Sequence, residues 1–243
     1  MGEGRVICSP QEEDNELYNR SMSINIAIDG PAGAGKSTIA KKVAAKRGYI
    51  YVDTGAMYRA MALYMIRENI DSSDVAAIEA ACENADISIE YVNGEQVVLL
   101  NGENVNAYLR TEEVGNMASV SSVNGKVRAK LQQLQQKLAA TADVVMDGRD
   151  IGTSVLPNAD VKIFLTANSL VRAQRRHAEL LAKGEEADIN KIEADIIERD
   201  HRDMTRELNP LCQATDAVLV DSSYMTIDEV AACIDEIIAK KIV

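Results

Sequence analysis

The stretch Ile24-Asn-Ile-Ala-Ile-Asp29, followed at once by Gly30-Pro-Ala-Gly-Ala-Gly-Lys-Ser37, decides the fold. Its last eight residues match G-x-x-x-x-G-K-[ST], a loop whose backbone N–H groups point inward around a phosphate chain. Gly30, Gly33 and Gly35 let the backbone wrap, and Pro31, Ala32 and Ala34 fill the positions between them. A helix is expected over Lys36–Arg47, with Thr38 in its first turn, and its N-terminus adds partial positive charge. Lys36 would reach the β- and γ-phosphates, while the Ser37 hydroxyl would take a Mg²⁺ coordination position. An apolar strand before the loop and a helix after it supply the context the motif requires.

Outward from the loop, short apolar runs recur at Tyr49–Asp53, Val144–Asp147, Val161–Leu165 and Ala217–Asp221. Their hydrophobicity is continuous rather than alternating, as in parallel strands buried on both faces. Helical patterns fall between them, at Ala56–Arg67, Glu112–Ala139, Ser169–Lys183, Lys191–Arg206 and Thr226–Lys240. The alternation predicts an α/β protein of three layers around a five-stranded parallel sheet, with ligands at the carboxyl ends of the strands. Ile87–Val92 and Gln96–Leu100 are separated by Asn93-Gly94 and followed by Asn101-Gly102. Asn-Gly pairs suit turns with positive φ, so a small antiparallel meander is expected beside the sheet. Residues 1–22 are polar and aperiodic and read as an appended tail, either an upstream extension or an expression remnant.

The chain has 243 residues, 47 % of them hydrophobic, and a formal charge of −12. Such an acidic chain is a poor partner for a nucleic acid polymer, which requires an extended basic surface. The charge is uneven: residues 67–113 carry −9, whereas residues 23–66 carry +4. A small anionic ligand can therefore be held by a few placed cations. No apolar run reaches membrane-spanning length and no signal-peptide pattern opens the chain, so a cytoplasmic location is expected. Cys8, Cys82, Cys212 and Cys233 are far apart and read as free thiols. His177 and His201 have no metal-like spacing and read as surface or ion-pair residues.

A phosphate loop admits a switch GTPase, an ATP-driven motor or assembly protein, or a kinase for a small molecule. The guanine-reading Asn-Lys-x-Asp is missing: the nearest string, Asn190-Lys-Ile-Glu193, ends in Glu within a charged helical stretch. A kinase needs an acceptor site, and two strand ends offer one. Asp53-Thr-Gly-Ala-Met-Tyr-Arg59 follows the second strand and Asp147-Gly-Arg-Asp150 the third, which brings Arg59 and Arg149 to the crevice beside the phosphate loop.

The combination IDGPAGAGKST, DTGAMYRA, MDGRDIGTSVLPNADVKIFLTA and RDHRDMTRELNPL resembles the bacterial cytidylate kinases of the nucleoside monophosphate kinase family, from about Ser23 to Val243. The resemblance implies a P-loop kinase fold with a core at 23–66 and 140–243, a monophosphate-binding insertion at about 67–113 and a helical lid at about 172–190. It implies transfer of the γ-phosphate of ATP to CMP or dCMP with Mg²⁺, and a monomer is expected. Carried over residue by residue, it sets Arg59, Arg149 and Arg206 on the acceptor phosphate, Ser119, Arg128 and Asp150 on the cytosine edge with Thr54 nearby, and Arg199 and Asp203 on the sugar. The family commonly has Ser where Thr54 stands; the hydroxyl is kept and a methyl added. Lys36, Arg149 and Arg206 are the expected catalytic residues. Guanidinium suits phosphate because its planar fork pairs two oxygens at once. Asp150 can accept from the exocyclic amine of cytosine, where uracil has a carbonyl, and is the candidate for selectivity. Arg175 and Arg176 belong by resemblance to the lid that closes over ATP, whereas Arg172 and Arg202 read as solvated helix-face charges. Asp147 ends its strand where a carboxylate beside the metal could sit.

Overall fold

The computed structural model describes residues 23–242; the expected tail and Cys8 lie outside the described residues. Strands β1 (Asn25–Asp29), β2 (Ile50–Asp53), β6 (Val144–Gly148), β7 (Val161–Thr166) and β8 (Val218–Asp221) form one parallel sheet in the order β2-β6-β1-β7-β8. The central strands β1 and β6 are covered on both faces: Ile26, Ile28 and Val145 pack on one side and Val144 and Met146, with Ala27, on the other, each with 1 % exposure or less. Burial of each such Ile, Val or Met side chain contributes about 1.5–3 kcal/mol, which is why these runs read as continuous apolar strands.

One face of the sheet is covered by α1 (Lys36–Arg47) and α8 (Ile227–Lys241), which enclose Val43, Ile234 and Ile238. The other face carries α2 (Thr54–Arg67), α4 (Glu112–Ser121) and α5 (Gly125–Ala139), packed through Met57, Met61, Met117, Val127 and Leu131. Helices α6 (Ser169–Ala182) and α7 (Ile189–Thr205) pair with each other beyond the end of β7. The lone expected helix over Glu112–Ala139 is two helices. The chain breaks at Ser122–Asn124, where the Asn124 carboxamide accepts from the N–H groups of Lys126 and Val127 and caps α5. Sequence periodicity also passed over α3 (Val75–Asn84), a short helix capped by Asp74.

The meander forms from β3 (Ile87–Val92), β4 (Glu95–Leu100) and β5 (Glu103–Asn104), with Asn93 and Asn101 at positive φ. It is fastened to the free edge of β2. The Gln96 carboxamide accepts from Asp53 N–H at 2.8 Å and donates to Asp53 C=O at 3.2 Å, while the Tyr91 hydroxyl donates to Tyr51 C=O at 3.0 Å. An edge strand's unpaired backbone groups are thereby satisfied by side chains rather than by another strand.

Candidate active site

The strand ends do different work with the same residue type. Asp53 caps α2 by accepting from Ala56 N–H, which aims Arg59 one turn later at the cleft. Asp29 accepts from Ile151 N–H at 2.8 Å and Gly152 N–H at 2.7 Å, and so pins the π-helical turn Ile151–Val155 that follows Asp150. Burial pushes the Asp29 carboxyl up to about 6, although those two N–H donors pull against the rise. Asp147 accepts from Tyr51 Oη at 2.8 Å and from Ser37 Oγ at 2.9 Å, which sets its carboxylate against the phosphate loop. Burial, and next the neighbouring Asp53 charge, raise Asp147 to about 6.

The loop itself is tightly constrained at Gly30, which has φ of 147°; a Cβ there would stand 1.9 Å from Leu165 O of β7. Gly35 starts α1 at φ of 88°, so the helix N-terminus faces the loop interior. Lys36 is buried, and its Nζ donates to Pro31 C=O at 2.7 Å. Burial, and next the Arg149 charge, lower its pKa well below the usual lysine range.

A cleft of about 230 Å³ opens from Ala32, Gly33, Lys36 and Ser37 across Thr54, Arg59, Arg149, Arg199 and Asp203 to Ser119, Arg128, Asp150 and Arg206. Within it Arg149 Nε donates to Asp203 at 2.9 Å. At the deep end Asp150 is held by Arg128 Nη2 on one oxygen and by Arg206 Nη2, at 3.1 Å, on the other. Arg206 Nε also donates to Asn209 C=O at 2.7 Å, so this guanidinium is mostly engaged. The Thr54 hydroxyl donates to Asp147 C=O at 2.7 Å. By contrast, Lys36, Arg59 and Arg199 make no ion pair among the described residues. Burial, and next Arg149, push Arg199 down to about 10, and burial also lowers Arg59. Cations this desolvated and this close together repel one another and favour an anion between them.

The family model for cytidylate kinase matches residues 26–240. The cytidylate kinase of Caldicellulosiruptor saccharolyticus is 52 % identical over 219 residues, covering 90 % of this chain and 97 % of that protein. That of Lactiplantibacillus plantarum is 48 % identical over 220 residues, covering 90 % and 96 %. The chain belongs to the cytidylate kinase family. It is an enzyme, a phosphotransferase, on an α/β P-loop kinase fold. Solved structures similar to it include shikimate kinase from Bacteroides thetaiotaomicron (12 % identity, TM-score 0.47, covering 89 % of this chain and 98 % of that one). A gluconokinase from Sinorhizobium meliloti is 15 % identical, with a TM-score of 0.45 and coverage of 92 % and 100 %.

In this cytidylate kinase family member the acceptor-side residues named from sequence, Thr54, Arg59, Ser119, Arg128, Arg149, Asp150, Arg199, Asp203 and Arg206, all line one cleft. The two lid arginines do not. Arg175 donates to Ser222 Oγ and, at 2.8 Å, to Ser222 C=O, which ties α6 to the end of β8; Arg176 is exposed and pairs with Glu179. Arg202 is exposed beside Glu198. Arg172 overturns its reading as a solvated charge. It is 6 % exposed, donating through Nε to Ala167 C=O at 2.9 Å, through Nη1 to Ala32 C=O at 2.8 Å and through Nη2 to Asp200 at 2.6 Å. The physical reason is the packing of α6 on the phosphate loop: a Cβ on Gly33 would stand 3.3 Å from Arg172 Cβ. His177 faces Ala187 C=O at 3.1 Å. Among the described residues no cluster of His, Cys, Asp and Glu is arranged to hold a metal, and no helix is long and apolar enough to cross a membrane.

Proposed function

We propose that this enzyme transfers the γ-phosphate of ATP to CMP or dCMP, giving CDP or dCDP and ADP, with Mg²⁺. The observation that carries the reading is the set of cations without an ion pair among the described residues, Lys36, Arg59 and Arg199, lying with Arg149 between a phosphate loop and the buried Asp150 cluster. One end of the cleft suits a triphosphate, the middle suits a second phosphate, and the far end presents a carboxylate to a base edge.

The phosphate loop, Gly30 to Ser37 with Thr38, cradles ATP. Lys36 acts on the transferred phosphoryl group while Arg59, Arg149 and, through the one guanidinium nitrogen that Asp150 and Asn209 leave uncommitted, Arg206 hold the acceptor phosphate. Transfer is in line and needs no covalent enzyme intermediate, so the protein's contribution is alignment and charge neutralisation. Ser37 and Asp147 fit a hard cation, since their oxygens converge 2.9 Å apart beside Lys36. Mg²⁺, when bound there with ATP, neutralises charge on the β- and γ-phosphates. Arg199 and Asp203 hold the sugar, and the insertion at about 67–113 encloses the monophosphate. The lid, at about 172–190, excludes water so that ATP is not spent on hydrolysis. Arg175 and Arg176 approach ATP only if α6 moves, because neither lines the cleft and Arg175 is held by Ser222. The enzyme works as a cytoplasmic monomer on free nucleotides.

Asp150 supplies selectivity. Both of its oxygens already accept from arginine, and their remaining lone pairs suit the exocyclic amine of cytosine. Uracil would set a carbonyl against them, an unmet acceptor that costs about 1–3 kcal/mol. Incubation with CMP and ATP labelled at the γ-phosphate tests the activity: labelled CDP is expected, and label found only in inorganic phosphate overturns the reading.

A further inference from the structure

The acceptor cleft ends on a buried side chain that has no role in the account so far. Gln135 stands on α5 two turns beyond Arg128, on the same helix face, and lines the cleft with Arg128, Asp150 and Ile151. Its neighbours on α5 show what a glutamine there ordinarily does. Gln132 Nε2 donates to Ser154 C=O at 2.8 Å and Gln136 Nε2 donates to Val155 C=O at 2.9 Å, both fastening the π-helical turn. Gln135 is more buried than either, at 1 % exposure, yet its Nε2 has no acceptor among the described residues. Arg128 Nε, in the same cleft, is unpaired as well. A buried amide donor without a partner disfavours the ligand-free fold, and an aliphatic side chain would fit there without that cost. Two orphaned donors at the deep end of a cleft call for acceptors on whatever enters it.

We propose that Gln135 is a further specificity-determining residue, its amide donating to the ring carbonyl O2 of the pyrimidine. The inference rests on the reading of the cleft as a CMP site. With the exocyclic amine facing Asp150 and N3 facing Arg128, O2 is the acceptor left on the cytosine edge. Cytosine and uracil share O2, so Gln135 holds either pyrimidine, and Asp150 chooses between them.

The test is steady-state kinetics and thermal unfolding of Gln135→Leu, with Gln135→Met as a second variant of closer shape. KM for CMP should rise about tenfold, the size of one lost hydrogen bond. KM for UMP should rise by the same factor, leaving the CMP:UMP ratio unchanged. KM for ATP should stay the same, and the ligand-free unfolding midpoint should be no lower than that of the wild type. An unchanged KM for CMP overturns the inference, as does a rise in both CMP and ATP KM with a lowered midpoint, which would make Gln135 a packing residue. Wild-type enzyme that forms no CDP would instead remove the underlying reading of the cleft.

Discussion

Replacing Arg172 with Met should destabilise the fold far more than its position on a charged helix suggests. The guanidinium and the Asp200 carboxylate are only 7 % and 11 % exposed, and Arg172 is the only cation paired with Asp200 among the described residues. Arg172 holds Oδ2 of Asp200, and Oδ1 has no hydrogen-bond partner among the described residues. Methionine keeps the stem but strands that carboxylate, and breaking a buried pair from one side costs about 3–5 kcal/mol. The carbonyls of Ala32 and Ala167 lose a donor at the same time, which adds to the loss. Against a typical stability of about 5–15 kcal/mol, the effect on the urea midpoint is large. KM for ATP should rise too, since Ala32 belongs to the phosphate loop. The double variant Arg172→Met/Asp200→Leu should recover most of the stability, because two apolar groups replace the pair. A loss under about 1 kcal/mol with unchanged KM for ATP would refute the reasoning and return Arg172 to the surface.

Lys36→Ala should lower kcat by at least 10²–10³-fold, with no loss of unfolding free energy because a desolvated cation is removed; retention of most activity would refute its role. Arg149→Ala should raise KM for CMP far more than for ATP, and an equal rise for both would separate Arg149 from the acceptor phosphate. Asp147 has a folded pKa raised to about 6, so the folded state keeps a proton that the unfolded chain releases. That contribution is present below about pH 4 and lost as pH rises through about 6. Asp147→Asn lacks it, so its unfolding free energy should gain on the wild type by up to about 3 kcal/mol between pH 4 and pH 7; parallel curves in urea titrations would contradict the shift.

The parallel sheet was legible because its central strands are buried on both faces, Ile26, Ile28 and Val145 on one side and Ala27, Val144 and Met146 on the other, and so leave continuous apolar runs. The order of its strands was not, since β6 enters between β1 and β2 from more than ninety residues away. The break at Ser122–Asn124 depends on one side-chain cap, which a helical pattern on both sides conceals. Site residues that follow strand ends, Arg59, Arg149 and Asp150, could be placed because the fold fixes where such turns point. Arg172 could not: its partners are Ala32 and Asp200, far from it in sequence. Gln135 likewise looks like one more polar residue on an amphipathic helix until its neighbours are seen to be paired and it is not.

The most direct measurement is kcat/KM for CMP, dCMP, UMP and AMP with Mg-ATP, in the wild type and in Asp150→Asn. The account predicts CMP and dCMP as substrates and CMP favoured over UMP by about 5- to 150-fold, with that preference collapsing in the variant, whose carboxamide can donate to the uracil carbonyl. UMP turnover equal to that of CMP in the wild type would contradict it.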